Sequence, residues 1–188
     1  VREPLLRRQL DILYNAFLGN QVPDARLEEM VRLQTRIEQA FNTFRMQVDG
    51  RALSDNDAEE ILRTSTDPGQ LEKVWRASKE IGRAVASDIL KLVRLRNEAA
   101  HGLGFANFQQ MQLKLSEQDP EQIEALFDEL DELTRGGFAS LKDDVDAFLA
   151  ARCGIAREQL RPWHYQNRFF QEAPGIYPVD LDSYYKDK

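Results

Sequence analysis

Residues 67–104, DPGQLEKVWRASKEIGRAVASDILKLVRLRNEAAHGLG, decide the fold. Asp67 can cap a helix, Pro68 suits the first helical position, where a missing N–H costs nothing, and Gly102 with Gly104 marks a stop. The stretch predicts one helix of about 35 residues, roughly 50 Å long at 1.5 Å per residue. Wound at about 100° per residue, it gathers Leu71, Val74, Trp75, Ile81, Val85, Ile89, Leu92 and Leu103 on one face. Lys73, Arg76, Lys79, Glu80, Arg83, Lys91 and Arg94 fall opposite, as a solvated surface. Ser78 and Gly82 interrupt the apolar face with small side chains, which would let a neighbouring helix approach closely. Arg96 breaks the pattern, because it falls within the apolar stripe between Leu92 and Ala99. Two readings stand. The stem can pack while the head reaches solvent, or the guanidinium can form a buried structural ion pair that fixes two helices in register, because an unpaired buried charge is very costly.

Outward from this helix, punctuation organises the rest. Proline is absent from 24–67, 69–119 and 121–161, leaving long windows open to helices. A first helix is expected over 3–18, closed by Gly19-Asn20. A second is expected over 24–48, stopped at Asp49-Gly50, with Leu27, Met30, Leu33, Ile37, Phe41, Phe44 and Val48 recurring every three or four residues. Ser54 and Asp57 fit a capping box for a short helix through Leu62. Phe105–Leu115 reads as a turn and a short helix. Asp119-Pro120 opens another long helix, in which Ile123, Phe127, Leu130, Leu133, Phe138, Leu141, Val145 and Leu149 keep one face through Gly136-Gly137 to about Arg152. The fold class is therefore all-α, an antiparallel bundle of long amphipathic helices over 1–152. Residues 153–188 form an aromatic and Pro-rich tail with a short helix around Trp163–Gln171. From Pro162 on lie seven of the chain's 17 aromatics: Trp163, Tyr165, Phe169, Phe170, Tyr177, Tyr184 and Tyr185. The tail stops as DSYYKDK begins to resemble a new element, and the chain opens on VREPLLRRQL, helical and without an initiator Met. Both ends fit a piece of a longer protein, truncated before further structure.

Composition narrows the function classes. Among 188 residues, 25 are basic and 32 acidic, a formal net charge of −7, which argues against a nucleic-acid binder. No stretch approaches the roughly 20 apolar residues of a membrane helix. One cysteine, Cys153, excludes an internal disulfide and fits a reducing, cytoplasmic setting. Segment 117–146 carries eleven acidic and two basic residues, a local excess that reads as a solvent-facing helix surface.

The motifs of familiar chemistry are missing. The sequence contains no H-E-x-x-H, no P-loop, no dinucleotide fingerprint and no G-x-S-x-G. Cys153, in AARCGIA, reads as a small packed residue before a glycine stop rather than a nucleophile. His101, beside Gly102, reads as a partner of helix carbonyls. His164 sits among aromatics, where a structural role competes with a pocket-lining one. No catalytic and no metal-binding residue is assigned in this chain.

Three passages in order carry a resemblance: LSDNDAEEILRTSTDPGQLEKVWRASKEIG (53–82), LVRLRNEAAHGLGFANFQQMQL (92–113) and LRPWHYQNRFF (160–170). Together they resemble the amino-terminal helical region, upstream of the metal site, of zinc metallopeptidases like angiotensin-converting enzyme, oligopeptidase F and thimet oligopeptidase. The strongest part is Leu92–Phe108. Where many relatives of the oligopeptidase branch carry Pro-Trp-Asp, this chain has Pro162-Trp163-His164, so a role resting on that Asp does not carry over. The resemblance implies a two-lobed helical peptidase around a deep channel for short peptides, with this chain a non-catalytic wall or lid. It implies Zn2+ in the full-length protein, held by an H-E-x-x-H and a later Glu that this chain lacks. The implied partners are the remainder of the parent peptidase and, through it, an oligopeptide. Trp163, His164 and Tyr165 are the candidate channel-lining residues. The competing reading is a free-standing helical scaffold that binds a partner without enzymatic activity.

Overall fold

The computed structural model describes residues 3–172 and 174–176. Among them the α-helices are α1 Pro4–Gly19, α2 Asp24–Thr43, α3 Asp55–Thr64, α4 Pro68–Gly102, α5 Phe108–Leu115 and α6 Pro120–Cys153. Strands β1 Met46–Val48 and β2 Arg51–Leu53 form a hairpin, and two 3-10 turns, Arg157–Gln159 and Pro162–His164, follow α6. Among the described residues the protein is all-α with this one small departure.

Helix starts follow their capping residues. The Glu3 carboxylate accepts from Leu5 N–H at 3.1 Å and Leu6 N–H at 2.6 Å. Ser54 and Asp57 form the reciprocal capping box of α3: Ser54 N–H donates to Asp57 Oδ2 at 2.9 Å and Asp57 N–H to Ser54 Oγ at 3.2 Å. Asp67 takes Gly69 N–H at 2.9 Å, Asn107 takes Gln110 N–H at 2.8 Å, and Asp119 takes Glu121 N–H at 3.0 Å. Helix α6 continues through Gly136 and Gly137, as its unbroken apolar register predicts.

The second helix differs from expectation. It stops at Thr43, and 46–53 turn back as a hairpin pairing Met46 with Leu53, Gln47 with Ala52 and Val48 with Arg51. Asp49 (φ 48°) and Gly50 (φ 79°) both adopt the left-handed region, which a two-residue hairpin turn requires and which Asp-Gly tolerates. Alternation supplies the driving force: Met46 is fully buried, Gln47 exposed and Val48 half-buried.

The described chain divides into two compact units. The first combines residues up to 43 with 81–133, and the second combines 44–80 with the described residues from 134 on. In the first unit, Met30 and Leu33 of α2 pack with Leu92 and Ala99 of α4, flanked by Val22, Ile37 and Leu95. Ion pairs border this seam: Arg26–Glu98 at 3.7 Å, Glu29–Lys91 at 2.6 Å and Arg36 Nε–Asp88 Oδ2 at 2.6 Å. Numbers rise along α2 as they fall along α4, so the two helices run antiparallel. Helix α1 buries none of its residues; Leu10, Leu13, Tyr14 and Phe17 stay exposed. Gly82 offers no close approach, since an added Cβ would meet nothing within 4 Å.

In the second unit, Met46, Ala58, Leu62, Leu71 and Val74 form the core, with Phe44, Trp75, Cys153 and Trp163 packed against it. Hairpin, α3 and the start of α4 thus share one apolar centre. Arg152 closes α3 by donating to the carbonyls of Arg63 at 2.8 Å and Thr64 at 3.1 Å. The expected helix around Trp163–Gln171 is absent. After the turn at Pro162–His164, Gln166 (φ 62°) and Phe170 (φ 53°) bend the chain out of any helical path. Tyr177, Tyr184, Tyr185 and the stretch DSYYKDK lie outside the described residues.

Candidate functional site

The second unit holds a cleft of about 450 Å³ lined by Lys79, Lys142, Pro162, Tyr165, Asn167, Arg168, Phe169 and Phe170. Most of its wall comes from the segment after α6, and local chemistry fixes that segment. Pro162 starts a 3-10 turn, and the buried His164 ring closes it, its Nδ1 accepting from Arg161 N–H at 2.9 Å. Accepting at Nδ1 leaves the proton of the neutral ring on Nε2, a buried atom without a partner among the described residues. Burial pushes the His164 pKa below the usual histidine range. The Asn167 side-chain carbonyl then accepts from Phe169 N–H at 2.8 Å and Gln171 N–H at 3.2 Å, folding the chain back.

Arg168 anchors this loop to α3. Its side chain is 9% exposed and forks onto Asp55 at 2.8 Å and Glu59 at 3.0 Å. Both acids lie in the first half of α3, where helix N–H groups also favour negative charge. A second network joins α6 to the loop. Lys142 donates to Asp146 at 2.5 Å and to the Tyr165 hydroxyl at 2.7 Å, while that hydroxyl donates to Asp146 at 2.8 Å. Burial acts to raise the Asp146 pKa, but hydrogen bonds from Lys142 and Tyr165, with the charges of Lys142 and Arg157, outweigh it and hold it low. Burial acts to lower the Lys142 pKa, and the same hydrogen bonds overcome it and raise it. Burial raises the Tyr165 phenol, so it stays protonated at neutral pH. The cleft therefore presents aromatic faces and compensated charges.

The candidate channel-lining residues separate here. Tyr165 lines the cleft, edge-on to Phe170 with ring centroids 5.1 Å apart. Trp163 is half-buried against Trp75, with centroids 5.9 Å apart, and Arg76 lies 5.3 Å over its ring. His164 is buried beside Trp163. Arg96, in the other unit, is half-buried. It donates to the neutral Gln34 side chain at 3.1 Å and stacks 5.2 Å over Phe108, and among the described residues no buried carboxylate of the kind the apolar stripe suggested pairs with it. The first reading of Arg96, packed stem and accessible head, describes it better. The buried arginine held by two acids is Arg168, which sequence reasoning missed because no periodic pattern surrounds it.

No described residues suit a zinc ion. Among the described residues no group of three or more His, Cys, Asp or Glu could hold a metal. His101 Nε2 lies 2.8 Å from the Ala106 carbonyl, and His164 is committed to its own turn. Cys153 is half-buried, and burial raises its thiol pKa, which suits packing rather than attack.

Residues 1–141 match the family model of angiotensin-converting enzyme, a peptidase family. The chain belongs to the angiotensin-converting enzyme family. No curated protein and no solved structure matches it. Within this family member the matched span contains the whole of α1–α5 and most of α6. The cleft straddles its edge: Lys79 lies inside the match, whereas Lys142, Tyr165 and Arg168 lie beyond it. Among the described residues no helix is long and apolar enough to cross a membrane.

Proposed function

We propose that this chain is the amino-terminal, non-catalytic part of a zinc peptidase of this family, acting on oligopeptides and forming a wall or lid of the peptide channel. One observation carries the reading: the family match spans 1–141 while the 188 residues contain no H-E-x-x-H. Zinc, its ligands and the water-activating Glu would then belong to polypeptide outside these residues. This chain's share is to shape the channel and limit what enters. Exposed apolar side chains of the first unit on α1 and α6, among them Phe17, Phe127 and Leu133, support a surface made to be covered by further protein. The likeness of LRPWHYQNRFF to the oligopeptidase branch supports short peptides as the substrate class. The test compares this 188-residue chain with the complete gene product, measuring bound zinc by elemental analysis and hydrolysis of short peptides. The expected result is zinc and peptidase activity in the complete product alone. One-to-one zinc with peptide cleavage by the 188 residues would overturn the reading, as would a complete product that ends at Lys188.

A further inference from the structure

Five lysines fall among the described residues, and four of them carry a carboxylate partner. Lys73 pairs with Asp49 at 2.9 Å, Lys91 with Glu29 at 2.6 Å, Lys114 with Asp119 at 3.1 Å and Lys142 with Asp146 at 2.5 Å. Lys79 is different. Its Nζ donates to the Arg168 carbonyl at 2.7 Å and lies 4.9 Å over the Trp75 ring and 4.2 Å over the Phe169 ring. It faces the cleft, where Phe169 and Phe170 are open enough for a small molecule to enter.

The charged groups around this amine do not favour its protonation. The Arg168 guanidinium acts on it as a like charge, itself held by Asp55 and Glu59. Across the cleft, Lys142 and the Tyr165 hydroxyl share Asp146, whose charge is thereby already answered. Burial, then the Arg168 charge, push the Lys79 ammonium below its usual pKa. The two ring faces act the other way, since they attract a cation. They also offer flat apolar surfaces to a planar guest.

We propose that Lys79 is a carbonyl-reactive amine and that its cleft is a modification site for small aromatic aldehydes. The neutral Nζ attacks the aldehyde carbon, a C–N bond forms, and the carbonyl π pair moves to oxygen. The two amine protons leave with that oxygen as water, giving an imine that gains a proton to restore the single positive charge. No oxidant or reductant enters. The guest ring lies against Phe169 and Phe170, in the direction the amine already faces.

The test treats the protein with benzaldehyde and cyanoborohydride, which fixes the imine as a benzylamine, and maps labelled lysines by mass spectrometry across pH 6–10. Lys73, Lys91 and the cleft's own Lys142 serve as internal controls. Lys79 is expected to take label several-fold faster than each control at neutral pH, with a profile displaced to lower pH. That preference is expected to vanish in denaturant, to drop in Phe169→Ala, and to disappear in Lys79→Arg without transfer to another lysine. Labelling of Lys79 no faster than the controls, or equal in folded and denatured protein, overturns the proposal. Should Phe169→Ala fail to fold, the comparison of Lys79 with Lys142 in the unaltered protein decides alone.

Discussion

Arg96 and Arg168 carry the same head group, and the two units treat it differently. Arg96 sits on a long periodic helix with a neutral amide as its partner and an aromatic ring beneath it. Arg168 sits on an irregular loop, almost wholly withdrawn from water and gripped by two acids of α3. A charge inside a hydrophobic stripe need not be buried. A helix end can lean its long aliphatic stem on the core and still hydrate the guanidinium. A loop has no hydrogen-bond ladder of its own, so it uses side-chain ties to hold a shape. In the second unit those ties are Arg168, Asn167 and the Tyr165 network.

The largest expected difference lies between the core of the second unit and helix α1 of the first. Leu62→Ala, in the fully buried centre of the second unit, should cost about 3 kcal/mol in urea unfolding. Leu13→Ala on α1, 55% exposed, should stay within about 0.5 kcal/mol. Equal losses would mean that α1 is packed in solution. The arginines give the next largest effect. Arg168→Met should cost about 2 kcal/mol, below the usual loss for a fully buried pair because Asp55 and Glu59 keep access to water. Arg96→Met should cost under about 1 kcal/mol. A double-mutant cycle between Arg168 and Asp55 should show coupling, and strictly additive losses there would refute a direct tie.

The smallest effect is a pH slope. With its pKa lowered by burial, His164 contributes stability that is complete above the ordinary histidine value of about 6.5. It is lost as pH falls through the lowered value, because the unfolded chain takes up the proton first. Asp146, also lowered, adds a similar loss further into acid, beginning as pH falls into the ordinary carboxylate range, where the unfolded chain takes up the proton first. Unfolding followed from pH 7.5 to 5 should therefore show a shallow decline, flattened in His164→Gln. A stability that rises on acidification in this window would contradict the buried neutral ring.

Where the chain is periodic, the sequence was a reliable guide. Asp67-Pro68 and Gly102 bracket α4 within a residue, and the Ser54–Asp57 box starts α3 where its spacing says. Helical periodicity also misleads. Phe44 and Val48 continue the stripe of α2 on paper, yet Asp-Gly with alternating residues on either side is a hairpin signal, and burial of Met46 decided for it. The cleft was only partly legible. The resemblance names Tyr165 among the channel-lining candidates, but Lys79 reads in sequence as one more member of a solvated basic face. Its difference comes from Trp75 and Phe169, and Phe169 lies 90 positions away. Arg168 was hidden for the same reason, since Asp55 and Glu59 become its neighbours only after the chain has turned back on itself.

Helix α1 has a practical corollary. Because it lends no side chain to either interior, deleting it should leave the melting temperature of the rest nearly unmoved. Its row of Leu10, Leu13 and Phe17 nevertheless faces outward, so it governs how the purified chain behaves when concentrated. A shortened version beginning near Gln21 is expected to remain clear at protein levels where the longer one turns cloudy.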